Sequence, residues 1–112
     1  MSINIKEALG IGGVQSAVYG WRTPSTAEKG AQIDLVIDRA DHCVNLCEMK
    51  FCRGEYTMTK AEREKLEHRV DSFISNTGTK SSIRVTLITS HGMHKNANSS
   101  IVQSEVMLGD LL

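Results

Sequence analysis

The sequence predicts an α/β domain on a mixed central sheet, in the order (α)βββαββ, with the first helix truncated. Three observations carry this expectation. Two apolar, β-forming runs, residues 31–38 and 43–51, stand a short polar turn apart. A long amphipathic helical stripe follows them. A third strong apolar run, residues 83–89, comes after the helix.

The chain has 112 residues, enough for one domain around one hydrophobic core. Residues 3–9 read as the last turns of a helix stopped by Gly10, Gly12 and Gly13. An uncapped helix this close to the first residue suggests that the chain is the C-terminal part of a longer protein. Residues 14–21 alternate loosely and carry β-formers, which predicts a strand. Residues 22–30 hold the single proline, Pro24, with Ser25 and Thr26, and read as a loop.

The runs at 31–38 and 43–51 are apolar on both faces apart from a few charged positions, so they belong in a sheet covered on both sides. The short link between them, 39–42, makes the pair antiparallel. Residues 53–58 read as a loop. Thr59-x-x-Glu62 is a capping box, and Leu66, Val70, Phe73, Ile74 and Thr77 form an apolar stripe that Gly78 ends. The helix is therefore placed at about 60–77, with its charges over 60–69 as the solvated face. The strand at 83–89 then lies parallel to the strand of Glu48 through a crossover. Residues 91–98 read as a loop, 101–108 as a closing strand and 109–112 as a short tail.

Lys plus Arg and Asp plus Glu both number 13. This counts against a protein that coats nucleic acid by charge alone and does not exclude local contact with a few phosphates. No apolar run reaches the ~20 residues of a membrane helix, and the first residues lack the apolar core of a signal peptide, which predicts a cytoplasmic chain. Three cysteines argue against a disulfide framework. With His42, the cysteines Cys43, Cys47 and Cys52 form a cluster without the paired spacing of zinc sites. Cys43 and Cys47 read instead as small apolar strand residues.

The chemistry centres on Asp34, Glu48 and Lys50. Side chains two apart on a strand share a face, so Glu48 and Lys50 point the same way. A turn near 39–41 puts Asp34 opposite about Leu46 or Cys47, within direct or diagonal reach of Glu48. Three charges in so apolar a hairpin are costly unless they pair or bind a cation. Mg²⁺ prefers one or two carboxylates plus waters and phosphate oxygens, and a nearby lysine can orient water or stabilise charge on phosphate. The plainer alternative is a Lys50–Glu48 or Lys50–Asp34 pair snorkelling to water at a sheet end. An E-x-K triplet arises by chance in roughly a third of chains this long, so the context carries the information.

That context is Gly30-Ala31-Gln32-Ile33-Asp34-Leu35-Val36-Ile37-Asp38 followed by Leu46-Cys47-Glu48-Met49-Lys50-Phe51. It resembles PD-(D/E)XK nuclease-like domains, most of all those at the C-terminal end of bacterial ATPases of the AAA type. The resemblance runs from about Leu9 to the end of the chain. It implies a restriction-endonuclease-like sheet and a metal-dependent DNA endonuclease module with an ATPase domain in the same native chain. It further implies Mg²⁺ or Mn²⁺ held by Asp34 and Glu48, and a catalytic role for Lys50. Gln32 shares a face with Asp34 and could line the site, or be an exposed strand amide.

Two departures stand beside the resemblance. The family's first helix, with a further acid, is at most partly present, and Glu7 does not clearly match that acid. There is also no phosphate loop of the G-x-x-x-x-G-K-[ST] type. The alternative is therefore a catalytically inactive module for DNA or protein binding, or for homodimerisation through an open sheet face. His91, His94 and Lys95 could touch phosphate or metal, or form an ordinary surface loop. Gly10-x-Gly12-Gly13 lacks the strand–turn–helix context of a phosphate cradle. Tyr19 and Trp21 could stack on a base or sit in the core and its rim.

Overall fold

The computed structural model describes residues 7–23 and 30–111. The start of the expected first helix, residues 3–6, and the Pro24 segment fall outside the described residues. β1 is Ser16–Arg22, β2 Gln32–Arg39, β3 Cys43–Lys50, β4 Tyr56–Thr57, α1 Lys60–Thr77, β5 Ser82–Thr89, β6 Met93–His94 and β7 Ser104–Met107. Two single-turn 3-10 segments, Asn98–Ile101 and Leu108–Leu111, flank β7.

The period-2 runs become the five-stranded mixed sheet β1-β2-β3-β5-β7. β1, β2 and β3 pair antiparallel. β3–β5 and β5–β7 are parallel. The crossover through α1 therefore sets Glu48 beside Leu87 and Lys50 beside Thr89 in the centre of the sheet. α1 starts where the capping box places it: the Thr59 side chain accepts from the Glu62 amide. It stops at Gly78, whose left-handed φ of 64° lets its N–H reach the Ile74 carbonyl.

Alternation along β3 divides the core. Val44 and Leu46 face α1, where they pack with Ile33, Val36 and Phe73. Cys47 faces the other side, against Ile11, Ile37, Ile88 and Val106. A third cluster joins Leu66 of α1 to Val85, Leu87, Tyr56 and Met58. Trp21 meets the Phe73 ring edge-on at 5.3 Å, so it is a core-rim residue. Leu9 and Val14 pack over the face opposite α1 together with Leu108.

Three expectations are corrected. The loops at 53–58 and 91–98 each contain a short strand, β4 and β6, which pair parallel to one another. The closing strand does not begin at residue 101. Asn96 and Ser99 bond one another through side chains and backbone, and this closes a 3-10 turn first. Pairing with β5 starts only after the Gln103 amide reaches the Val85 carbonyl. The tail is likewise a 3-10 turn. No helix among the described residues is long and apolar enough to cross a membrane.

Candidate active site

β1 and β2 do not run in step. Tyr19 pairs with Val36, but Trp21 pairs with Ile33, so β2 carries one extra residue there. This bulge keeps both Ile33 and Val36 in the helix-side core and sets Asp34 between them. The β2–β3 ladder registers Leu35 with Cys47. Continuing that register by one residue would set Asp34 opposite Glu48, one position beyond the Leu46 or Cys47 that turn length alone suggested, but the ladder ends at Leu35 and Cys47. Asp34 is exposed, and its carboxylate accepts the Met49 amide N–H at 3.2 Å. It therefore sits in the gap between the two strands at the sheet's end.

Glu48 and Lys50 share the α1 side of β3, as alternation required. Glu48 is 7% exposed. Its Oε1 lies 2.7 Å from Arg69 Nη1 and 3.4 Å from Lys50 Nζ. Lys50 Nζ is also 3.8 Å from Glu62 Oε2, and that same oxygen accepts the Tyr56 hydroxyl. Burial, reinforced by the Glu62 hydrogen bond, raises the Tyr56 phenol above its usual range. Glu48, Lys50, Tyr56, Glu62, Lys65 and Arg69 line a cavity of about 290 Å³, with Met58 and Leu66 as its apolar wall.

Sequence reasoning brought together Glu48 and Lys50 and missed Tyr56, Glu62, Lys65 and Arg69. The charges over 60–69 are not simply a solvated face. Glu62 and Arg69 stand one turn either side of buried Leu66, and this spacing turns them toward β3. Gln32 is exposed and lines a second cleft of about 520 Å³, beside Lys65, His68 and Arg69.

The fold has a likeness among solved structures. It superposes on the crystal structure of "Protein of Unknown Function AF1548" with a TM-score of 0.62 and 14% identity. The match covers 98% of this chain and 62% of that one, so the chain spans less than two thirds of that protein's length. At this identity the likeness speaks for an α/β fold with a mixed sheet. No protein family matches the chain, and no curated protein does.

Among the described residues, no group of three or more His, Cys, Asp or Glu side chains gathers as a metal cluster. His42, Cys43, Cys47 and Cys52 therefore form no zinc set: Cys47 is buried in the sheet, and exposed Cys52 donates its thiol to the Gly54 carbonyl. His91 bonds the Cys52 carbonyl and His94 faces Glu55, both at the surface. The expected carboxylate pair is engaged by protein groups, Asp34 by the Met49 amide and Glu48 by Arg69 and Lys50, and Asp34 does not line the cleft of Glu48 and Lys50. Two carboxylates completed by water and phosphate oxygens suit Mg²⁺ or Mn²⁺ rather than a closed protein cage.

Proposed function

We propose that the chain is a metal-dependent phosphodiester hydrolase module of the DNA-endonuclease type, on a restriction-endonuclease-like sheet, working with an ATPase in the cytoplasm. One observation carries this reading. Asp34 accepts the Met49 amide just past the last β2–β3 pair, Leu35 with Cys47, while Lys50 lies 3.4 Å from the Glu48 carboxylate. The ATPase and the DNA substrate rest on the sequence resemblance.

Asp34 and Glu48 would hold the cation. When bound, it supplies charge neutralisation at the phosphate and a more acidic water. Glu48 is anchored in the parallel part of the sheet, so its position is rigid. Lys50, held between Glu48 and Glu62, orients water or offsets charge building on the phosphate. The test compares cleavage of plasmid and single-stranded DNA with Mg²⁺ by wild type, Asp34→Ala and Lys50→Ala. Each substitution is expected to lower the rate by roughly 10²-fold or more. Equal cleavage by all three sinks the proposal.

A second reading draws on Arg69. Its guanidinium already neutralises Glu48 at 2.7 Å, as in an inactive nuclease fold kept for binding DNA or protein, or for pairing with a second copy. Calorimetric titration with Mn²⁺ separates the two: measurable heat that Asp34→Ala abolishes favours the enzyme, and none favours the binding module.

A further inference from the structure

We infer that Lys65 and Arg69 form a phosphate subsite next to the candidate active site, on a track along which a nucleic-acid strand crosses the N-terminal half of α1. The identity of the ligand rests on the nuclease reading, whereas the geometry stands by itself. Two clefts flank α1, one of about 290 Å³ at Glu48 and Lys50 and one of about 520 Å³ at Gln32 and His68. Lys65 and Arg69 line both, so they form the ridge a strand passes over between the clefts. At i and i+4 on one helix their Cβ atoms stand about 5–6 Å apart, close enough for both to reach one phosphate.

Charge points the same way. The first cleft sets three cations, Lys50, Lys65 and Arg69, against two carboxylates, Glu48 and Glu62. Lys50 and Arg69 are engaged with those carboxylates. Lys65 is exposed and forms no ion pair among the described residues, so it is the cation left for a ligand. The second cleft adds Glu64 as its one acid, against the same Lys65 and Arg69. Over the two clefts together the lining holds three cations, Lys50, Lys65 and Arg69, against three carboxylates, Glu48, Glu62 and Glu64, so the charge open to a ligand is that of Lys65. A phosphate at Lys65 also competes with Glu48 for the Arg69 guanidinium, so filling the subsite loosens the pair that holds Glu48.

The experiment measures fluorescence anisotropy of a labelled oligothymidylate of about a dozen nucleotides, in chelator without metal, over a series of salt concentrations. Wild type is compared with Lys65→Ala, Lys65→Glu, Arg69→Ala and, as an equal charge loss elsewhere, Lys80→Ala beyond the far end of α1. Each alanine at the subsite is expected to weaken binding and to reduce the slope of log affinity against log salt by about 0.7, one phosphate contact on a single strand. Lys65→Glu is expected to weaken binding further, and Lys80→Ala to change neither quantity. Lys65 is a surface side chain, so its variants stay informative even where Arg69→Ala disturbs folding.

No binding by wild type at low salt, or slopes unmoved at Lys65, overturns the inference. So does an equal loss with Lys80→Ala. The nuclease reading fails separately: if the slopes fall as expected while no form cleaves DNA, the subsite stands and the enzyme does not. If Asp34→Ala abolishes cleavage while the slopes ignore Lys65 and Arg69, the enzyme stands and the subsite does not.

Discussion

Removing Arg69 strands the Glu48 carboxylate, whose side chain is only 9% exposed, with Lys50 as its remaining partner. Breaking a fully buried pair costs about 3–5 kcal/mol. Arg69 is 28% exposed and Lys50 stays near, so Arg69→Ala is expected to cost about 2 kcal/mol, read from the urea midpoint at unchanged m-value. A loss below about 0.5 kcal/mol would mean that water replaces the guanidinium at no cost. Cys47 gives a second prediction at this scale. Burial pushes its thiol from 9.0 up to about 12. The folded state thus holds a proton that the unfolded state releases, so the associated stability is present below about pH 9 and is lost as pH rises toward 12. Tyr56, raised by burial and by Glu62, adds in the same direction at higher pH. Urea midpoints should fall steadily above about pH 9, by at most about 1.4 kcal/mol per pH unit from Cys47, and Cys47→Ala should flatten the first part of that fall. A midpoint constant up to about pH 11 would contradict the burial argument. Glu48 and Lys50 were legible in the sequence because alternation fixes which strand residues share a face. Arg69 was not, because a charged helix run defaults to solvent unless its spacing from Leu66 is read. The Asp34 bulge was not legible either, since a period-2 pattern gives no sign of one extra residue.

At the scale of elements, α1 delivers Glu62, Lys65 and Arg69 to the site, so its ends matter to function as well as to stability. Thr59→Ala removes the oxygen that holds the Glu62 amide and is expected to cost about 1 kcal/mol. Gly78→Ala forces a Cβ into the left-handed conformation and should cost about 1 kcal/mol as well. Thermal denaturation checks both. Because the two sites are far apart on the helix, the double variant should lose close to the total, and a clear shortfall would mean that the ends of α1 fray independently of the core. These caps explain why the helix was legible nearly to the residue: capping box, apolar stripe and terminal glycine all agree. The three long central strands were legible for the same reason. β4 and β6 were not, because two residues carry no periodicity. They form through a tertiary contact, the Tyr56 amide on the Gly92 carbonyl. The turn at Asn98–Ile101 escaped because its apolar Ile101 and Val102 look like strand, while the Asn96–Ser99 bonds decide the backbone.

At the scale of the whole molecule, zero formal charge limits how nucleic acid is held. A protein that wraps DNA through many basic residues shows a salt slope near −10, as many counterions leave together. Here the cations lining the cleft are Lys50, Lys65 and Arg69, and Glu48 and Glu62 line it with them. At about 0.7 per single-strand phosphate, Lys65 and Arg69 give an expected slope of about −1.4 for the wild-type chain. Association should be correspondingly insensitive to long-range steering, because zero formal charge leaves little net attraction beyond the Debye length of about 10 Å at 0.1 M salt. The same neutrality sets a sequence pI near 6.9, where molecules repel one another least. Solubility in polyethylene glycol should therefore pass through a minimum close to neutral pH. A measured slope steeper than about −5 would require phosphate contacts spread well beyond α1 and would place the binding surface elsewhere on the sheet.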